Sequence, residues 1–566
     1  MPIRRIGLVT RTYRHVNRYR QILTVLARYG FGELIDSLRI AQYVEIGLQY
    51  ITRGRREHIE ALTRAQRARM VLEELGPTFI KLGQLLSTRP DLIPVEFVRE
   101  FERLQERVPP FAFEQVREIV EAELRAPLSE VFERFEEAPL AAASIGQVHR
   151  AVLRDGEDVV VKVQRPRIRR TIEVDLEILL HLATLVERHV EGGAALRPTR
   201  IVDEFARVIE QELDYRIEAA HLERFARQFE GDETVYVPKV FREATTARVL
   251  TMEFVEGVRC GDAETLRRAG LDPKRVAMRG AELILKQIFV HGFFHADPHP
   301  GNLFILPGEV ICYLDFGMVG RLTRRARETF ADFVYAVAGR DPARVTGSLL
   351  RLTDRDPGVE PDVEALERDV AQMLDLHLVA HLKELDLGKL LQQLIDLIRR
   401  HGLRISPDLV MMLKAMVTAE GLGRQLDPEI DMVAIAEPYV RRVKMERLLP
   451  GRLARDLYDS GTQMLELARE IPFVLRDILY MAKRGQFHMG FEHRGLERLQ
   501  ETLDRVSNRV AFAIVVAALI VGSSLIVQSR IPPLWYGIPV VGLVGFLTAG
   551  VMGFWLLASI LRHGRM

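Results

Sequence analysis

The chain has 566 residues, 48% of them apolar and 28% charged, and its 79 basic and 78 acidic residues leave a formal net charge of +1. That length admits several domains and a large core, the composition excludes a disordered or collagen-like chain, and the charge balance gives no reason to expect nucleic acid as a partner. Two distant cysteines, Cys260 and Cys312, without a CxxC, exclude a disulfide framework or a cysteine-rich zinc site.

Residues 1–69 read as a basic helical leader. Arg4, Arg5, Arg11, Arg14, Arg18 and Arg20 precede the first acid, Glu33, and alternate with Ile6, Leu8, Val9, Tyr13, Val16 and Tyr19. That pattern suits an amphipathic helix on anionic lipid, or equally a solvated arm, and has no signal-peptide core. Residues 70–125 are expected to form a helical extension. Pro77 suits a first helical turn; Lys81, Gln84 and Thr88 then share one polar face, while Gly83 permits close approach. The same spacing also fits a plain solvated face.

From 126 to 260 the pattern turns to mixed helix and strand. Leu140-Ala141-Ala142-Ala143-Ser144-Ile145-Gly146-Gln147-Val148 overlays the glycine-rich loop I-G-x-G-x-x-G-x-V, with Gly146 as its third glycine and Ala141 and Ala143 in place of the first two. Each alanine adds a Cβ where backbone must approach phosphate, so a stiffer loop is expected. Val159 to Val163 reads as a strand of the V-A-I-K type, with Lys162 placed to grip α and β phosphates. One helix from about Ile201 to Phe229 buries Val202, Phe205, Ile209, Leu213 and Ile217, and carries Glu212, Asp214 and Glu218. Asp214 and Glu218 are like charges at i, i+4, which calls for two cations, Lys162 and Lys81. Fifty-six positions separate Lys162 from Glu218, so an insertion lies between them. The strand ahead of the hinge, Val249 to Gly257, offers backbone at Glu253 and Val255 to an adenine ring.

The segment 261–350 holds the densest signal. His295-Ala296-Asp297-Pro298-His299-Pro300-Gly301-Asn302 is an H-x-D-x-x-x-x-N loop, and Asp315-Phe316-Gly317 follows a buried strand, Val310 to Leu314. In a protein-kinase-like site Asp297 accepts or orients a proton, while Asn302 and Asp315 offer hard oxygens to Mg²⁺ on the phosphates of ATP. No A-P-E follows, so the peptide platform of a protein kinase is missing. Residues 351–505 read as helical, with short linkers at 192–198 and 354–361.

The last segment, 506–566, reads as a transmembrane hairpin. Val510 to Val527 carries no charge over 18 residues, about 27 Å of helix against a bilayer core of about 30 Å. After Arg530, Pro532 and Pro533 the chain is uncharged again from Leu534 to Leu561, and this second helix is expected to start late, near Pro539. Arg505, Arg509, Arg562 and Arg565 flank the pair and put both ends, and the body, on the cytoplasmic side. Gly545, Ala549 and Gly553 form a small-residue row that admits a close partner helix.

The combined motifs resemble the UbiB/AarF family of atypical protein-kinase-like proteins linked to ubiquinone synthesis. They are F-I-K-L-G-Q-L-L-S-T-R-P-D-L-I-P, L-Q-E-R-V-P-P, A-A-A-S-I-G-Q-V-H, V-K-V-Q-R-P, E-L-D-Y-R-I-E-A, F-F-H-A-D-P-H-P-G-N and L-D-F-G. The resemblance spans about residues 70–320 and implies an α+β, two-lobed protein-kinase-like fold with helical extensions and a membrane hairpin at the C-terminus. It implies that the K-x-G-Q helix lies across the peptide site, with Lys81 and Gln84 meeting Glu212 and Asp214, and Glu218 pairing with Lys162. Asp297 is then the loop aspartate, and Asn302 and Asp315 the metal ligands. Gly146 departs from the alanine of many relatives. The expected activity is Mg-ATP-dependent ATP hydrolysis or small-molecule phosphorylation at a bacterial-type inner membrane. The expected partners are anionic lipid and quinone precursors or quinone-synthesis enzymes, with room for a homodimer. The alternatives are a nucleotide-binding scaffold and a protein kinase acting in trans.

Overall fold

Valine-rich alternation in the middle of the chain builds its main sheet. The strands are β1 (Phe132–Phe135), β2 (Ala141–Ala142), β3 (Gly146–Leu153), β4 (Asp158–Gln164) and, beyond the short β5 (Val235–Tyr236), β6 (Val249–Glu253). They run in the order β1-β3-β4-β6, with β2 paired to β3, and all pairs are antiparallel. Side chains alternate faces along a strand. Val159, Val161 and Val163 are therefore buried on one face with Val116, Ile119 and Val120 of the helix Phe113–Leu124. Val160 and Lys162 take the other face, where Val160 joins the central core of Phe205, Ile209, Leu222, Phe225 and Phe316. Parity thus aims the one lysine of this strand at the cleft.

The computed structural model describes residues 12–38, 62–89, 92–104, 109–190, 193, 197–355, 360–378, 387–447, 464, 472–473, 476, 480, 496–529, 531–535 and 538–563. They divide into two compact units, Met1–Arg455 and Asp456–Met566. In the first unit, below the main sheet, β7 (Val258–Arg259), β9 (Leu303–Leu306) and β10 (Val310–Tyr313) join β5 in the order β5-β10-β9-β7, and β8 (Phe293–His295) pairs with β11 (Val319–Arg321). Seven helices surround a second core centred on Phe289, Phe330, Val345, Val370 and Met412. They are Pro273–Leu285, Arg324–Ala338, Pro342–Leu352, Val363–Leu378, Leu387–Arg400, Pro407–Leu426 and Met432–Arg447.

The expected insertion between Lys162 and Glu218 contains the helices Ile168–His189 and Pro198–Glu212. The single helix expected from Ile201 to Phe229 is broken. Gln164 Nε2 donates to the Leu213 carbonyl at 2.9 Å, and Asp214 caps a new helix, Tyr215–Gln228, by accepting from the Arg216 N–H at 3.1 Å. Aspartate favours that capping role over a helix interior. The segment 354–361 is not a plain linker either, since Thr353–Arg355 pairs with Leu403–Ile405; residues 356–359 lie outside the described set.

In the leader, the helix Thr12–Arg28 buries Ile22, Leu23 and Val25. Arg18 does not face lipid: its guanidinium donates to the buried Asp175 at 2.7 Å and to the Leu75 carbonyl at 2.8 Å. Residues 1–11, with Arg4, Arg5 and Arg11, lie outside the described residues. A capping box at Thr63 and Gln66 starts the helix Arg64–Leu75, and Gly76, at φ 95°, turns the chain into Pro77–Ser87.

The second unit pairs the helices Leu496–Ser529 and Val540–His563. The latter starts directly after Pro539, as its sequence predicts. Among the described residues one helix, Val506–Ser529, is long and apolar enough to cross a membrane; the apolar stretch Val540–Leu556 is shorter. The helices meet through small residues. Cβ atoms on Gly542 and Gly545 would lie 2.6 Å from a Val527 methyl and 2.1 Å from the Ser523 hydroxyl. Ala549 is buried, whereas Gly553 is more loosely placed: a Cβ there would lie 3.9 Å from a Val516 methyl.

Candidate functional site

Three elements converge on Lys162. From β4 its Nζ donates to Glu218 Oε1 at 2.9 Å and Oε2 at 3.0 Å, and to Asp315 Oδ2 at 3.4 Å. The Lys162 and Glu218 side chains are 12% and 7% exposed. Burial alone would lower the lysine, but Asp315 and Glu218 hold its ammonium well above the ordinary range, so it stays charged. Asp315 is held well below the ordinary carboxylate range: desolvation opposes this, and Lys162, the Gly317 N–H at 2.8 Å and the field of Lys81 overcome it.

The next residue fixes this aspartate's position. Phe316 is fully buried, with its ring centroid 4.9 Å from that of Phe225, on the same helix as Glu218. His295 Nε2 bonds the Asp315 carbonyl, and its Nδ1 accepts from the Asp297 N–H at 3.2 Å. That network puts the proton on Nε2, and burial pushes the imidazole below its ordinary pKa, so it is neutral. Gln287, on the π-helical turn Lys286–His291, accepts from the His295 N–H at 2.9 Å and donates to the Tyr313 hydroxyl at 3.0 Å. The loop is thereby tied from behind. Asn302 Nδ2 lies 3.5 Å from the Asp297 carbonyl oxygen.

The alanine-rich loop is a hairpin, with Ala141 opposite Val148 and Ala142 opposite Gln147; the Ala143 N–H closes its turn on the Gly146 carbonyl at 2.8 Å. Leu140 is exposed at its mouth, whereas Ser144 and Ile145 are buried. Two residues of this loop also pack the fold. A Cβ on Gly146 would fall 2.5 Å from the Tyr215 hydroxyl and 2.6 Å from the Val163 carbonyl oxygen, so this glycine permits strand and helix to close up. Gln147 is fully buried and accepts from the Phe111 N–H at 3.0 Å. At the hinge the Glu253 N–H is taken by the Lys239 carbonyl and its carboxylate by the Tyr236 hydroxyl at 2.6 Å. Among the described residues the Val255 N–H has no such partner.

Lys81 Nζ donates to Glu212 Oε1 at 3.2 Å. Asp214 does not join them. Its carboxylate caps the helix Tyr215–Gln228 and is held by the Arg216 guanidinium at 2.6 and 2.8 Å. Gly83 admits close approach, with Leu104 and Leu72 where its Cβ would stand. Gln84 is half-buried on the same helix. One residue at the site was not found from the sequence: Lys414, from the helix Pro407–Leu426, places its Nζ 3.6 Å from Asp297 Oδ1. Its only signal was the scarcity of lysine, ten among 79 basic residues.

A strand lysine paired with a helix glutamate, next to an H-x-D loop and a D-F-G turn, defines an atypical kinase-like protein. Residues 103–349 match the ABC1 atypical kinase-like domain, 370–431 the UbiB helical domain and 494–562 the ABC1/UbiB kinase-like C-terminal domain. The chain is 36% identical over 478 residues to a "Probable protein kinase UbiB" of Pseudomonas putida, covering 84% of this chain and 88% of that one. A protein of the same name from Xanthomonas campestris is 33% identical over 530 residues, 92% and 94% of the two chains. The chain therefore belongs to the UbiB family. A solved structure, Rv3197 of Mycobacterium tuberculosis with erythromycin, is 26% identical at a TM-score of 0.47, covering 65% of this chain and 93% of that one.

Proposed function

We propose that the chain is a membrane-anchored, atypical kinase-like enzyme that binds Mg-ATP in the cleft and hydrolyses it, or phosphorylates a small molecule, in support of isoprenoid quinone synthesis. The observation that carries this reading is Lys162 held between Glu218 and Asp315, an ammonium kept charged and aimed at the cleft. Val255 would meet the adenine edge, Lys162 the inner phosphates, and Asp297 the proton of the attacking hydroxyl or water.

The donor set fits Mg²⁺. Among the described residues no three His, Cys, Asp or Glu side chains cluster as a metal cage. Mg²⁺ needs none, because one or two protein oxygens and the substrate's phosphates complete its shell. Asp315, kept anionic, and the Asn302 amide oxygen would hold it. When bound, it would offset the phosphate charge.

Water or a small molecule is favoured over a peptide as acceptor by the missing A-P-E motif and by Lys81, whose contact with Glu212 fixes the helix Pro77–Ser87 within the field of Asp315. The large apolar side chains exposed on the helical pair, among them Ile514, Val521, Leu525, Leu547, Val551 and Phe554, support anchoring in lipid, and the flanking arginines support a cytoplasmic body.

The test is ATP turnover by the full chain on anionic vesicles, with Mg²⁺ or with chelator, and with or without a phenolic quinone precursor. Mg²⁺-dependent turnover is expected. Nucleotide binding without turnover would make the chain a scaffold, and label appearing on a partner protein would make it a kinase in trans.

A further inference from the structure

The loop 295–302 carries Asp297 but no lysine or arginine of its own. Lys162 is committed to Glu218 and Asp315, and Lys81 to Glu212. Among the described residues the ammonium that reaches the Asp297 carboxylate is that of Lys414, 3.6 Å from Oδ1, with the two side chains 21% and 36% exposed. It comes from outside the stretch that matches the kinase-like domain, on a helix within the UbiB helical domain.

That helix is seated against the site at two further points. At its start Asp408 accepts from the Arg321 N–H at 3.5 Å, in the strand that follows Asp315-Phe316-Gly317. Farther along, Ala419 and Leu422 face Pro298, the neighbour of Asp297, across a small apolar cavity. A residue on a helix held on both sides presents its charge at a fixed place, which a loop cation does not do. Glu102, at the end of the helix Val95–Phe101, and Arg99 lie in the same field. The charges facing Asp297 thus come from both flanks of the kinase-like segment.

We propose that Lys414 is a positioning residue for Asp297: its ammonium holds the carboxylate in the orientation that receives the nucleophile's proton, so that the C-terminal helical region completes the catalytic loop. The inference rests on the reading of the cleft as an ATP-consuming site. A pair this exposed contributes little to stability, so its effect belongs to turnover and to the order of the loop.

The experiment uses the full-length chain and four variants: Lys414→Met, Lys414→Arg, Asp297→Asn, and Lys414→Met combined with Asp297→Asn. Two quantities are measured, the ATPase kcat and KM, and hydrogen exchange of the loop 295–302 without nucleotide. In Lys414→Met, kcat should fall at least about tenfold while the KM for ATP stays within about twofold. Lys414→Arg should recover most of the loss. Loop exchange should speed up in Lys414→Met with the helix Pro407–Leu426 unchanged, and the double variant should behave as Asp297→Asn alone. Unchanged kcat in Lys414→Met, an equal loss in the Asp297→Asn background, or faster exchange along the whole helix would each overturn the proposal. Should the wild-type chain turn over no ATP, the ATPase reading fails by itself; exchange then decides, and an unaltered loop in Lys414→Met rejects the positioning role.

Discussion

At Gly146 the space for a side chain is closed by the Val163 carbonyl oxygen at 2.6 Å, and backbone cannot swing aside as the end of a side chain can. Gly146→Ala should therefore destabilise the chain by about 1–3 kcal/mol, read as a lower denaturant midpoint. An unchanged midpoint would mean that β3 and β4 separate with ease. The charged pairs separate by role in the same way. Lys162→Ala removes the ammonium between Glu218 and Asp315 and should abolish most nucleotide affinity. Lys81→Ala should leave that affinity largely intact but cost about 1–3 kcal/mol, since Glu212 is 7% exposed and loses a cation. Calorimetry with Mg-ATP and thermal melts on both variants check this, and equal losses of affinity would make Lys81 a phosphate ligand. Asp315→Asn should abolish the Mg²⁺ dependence of binding, because it removes the carboxylate that the site keeps ionised and that is proposed to hold the metal; calorimetry with and without Mg²⁺ reads this directly.

Among the elements, the helix that carries Glu218 shows how capping decides geometry. Asp214 starts it and pairs with its own neighbour Arg216, so Asp214→Ala should lower stability by about 1 kcal/mol with nucleotide affinity unchanged. A loss of affinity would return Asp214 to the cleft. The sheet edge near the alanine-rich loop depends on a neutral histidine. His149 Nδ1 bonds the Glu136 carbonyl at 2.8 Å, and its Nε2 lies 2.9 Å from the Gln147 amide nitrogen, which donates to it. Burial lowers the His149 pKa. A base whose folded pKa is depressed stabilises fully above its unfolded value, about 6.5, and loses that contribution as pH falls through it. Melting temperature should therefore decline between about pH 7 and pH 5.5, and His149→Phe should flatten that part of the profile.

At the scale of the whole molecule the proposed membrane anchoring by the C-terminal helical pair is open to a direct test. Deleting residues 506–566 should release the chain, or leave only salt-sensitive binding. Retention through a high-salt wash, read by sedimentation with vesicles, would place the main anchor elsewhere. The Arg18–Asp175 pair ties the helix Thr12–Arg28 to the folded body.

Much of the site was legible because its chemistry is local. H-x-D-x-x-x-x-N, D-F-G and the valine-flanked lysine are short runs in which spacing alone sets face and order; that Glu218, and not Glu212 or Asp214, meets Lys162 was implied by the family resemblance, and the structure brings Lys162, Glu218 and Asp315 together. The late start of the last helix was legible too, because proline at 539 ends any helical run before it. Other features depended on partners distant in the chain. The break at Leu213 needs the Gln164 side chain to take a helix carbonyl, and the role of Gly146 needs the Val163 backbone behind it. Lys414 reaches Asp297 because the fold brings the helix Pro407–Leu426 to the loop, with Ala419 and Leu422 across a small cavity from Pro298. Periodicity reports which face of an element is buried; which charge meets which across a cleft is set by packing between elements remote in sequence, and only the tertiary structure decides it.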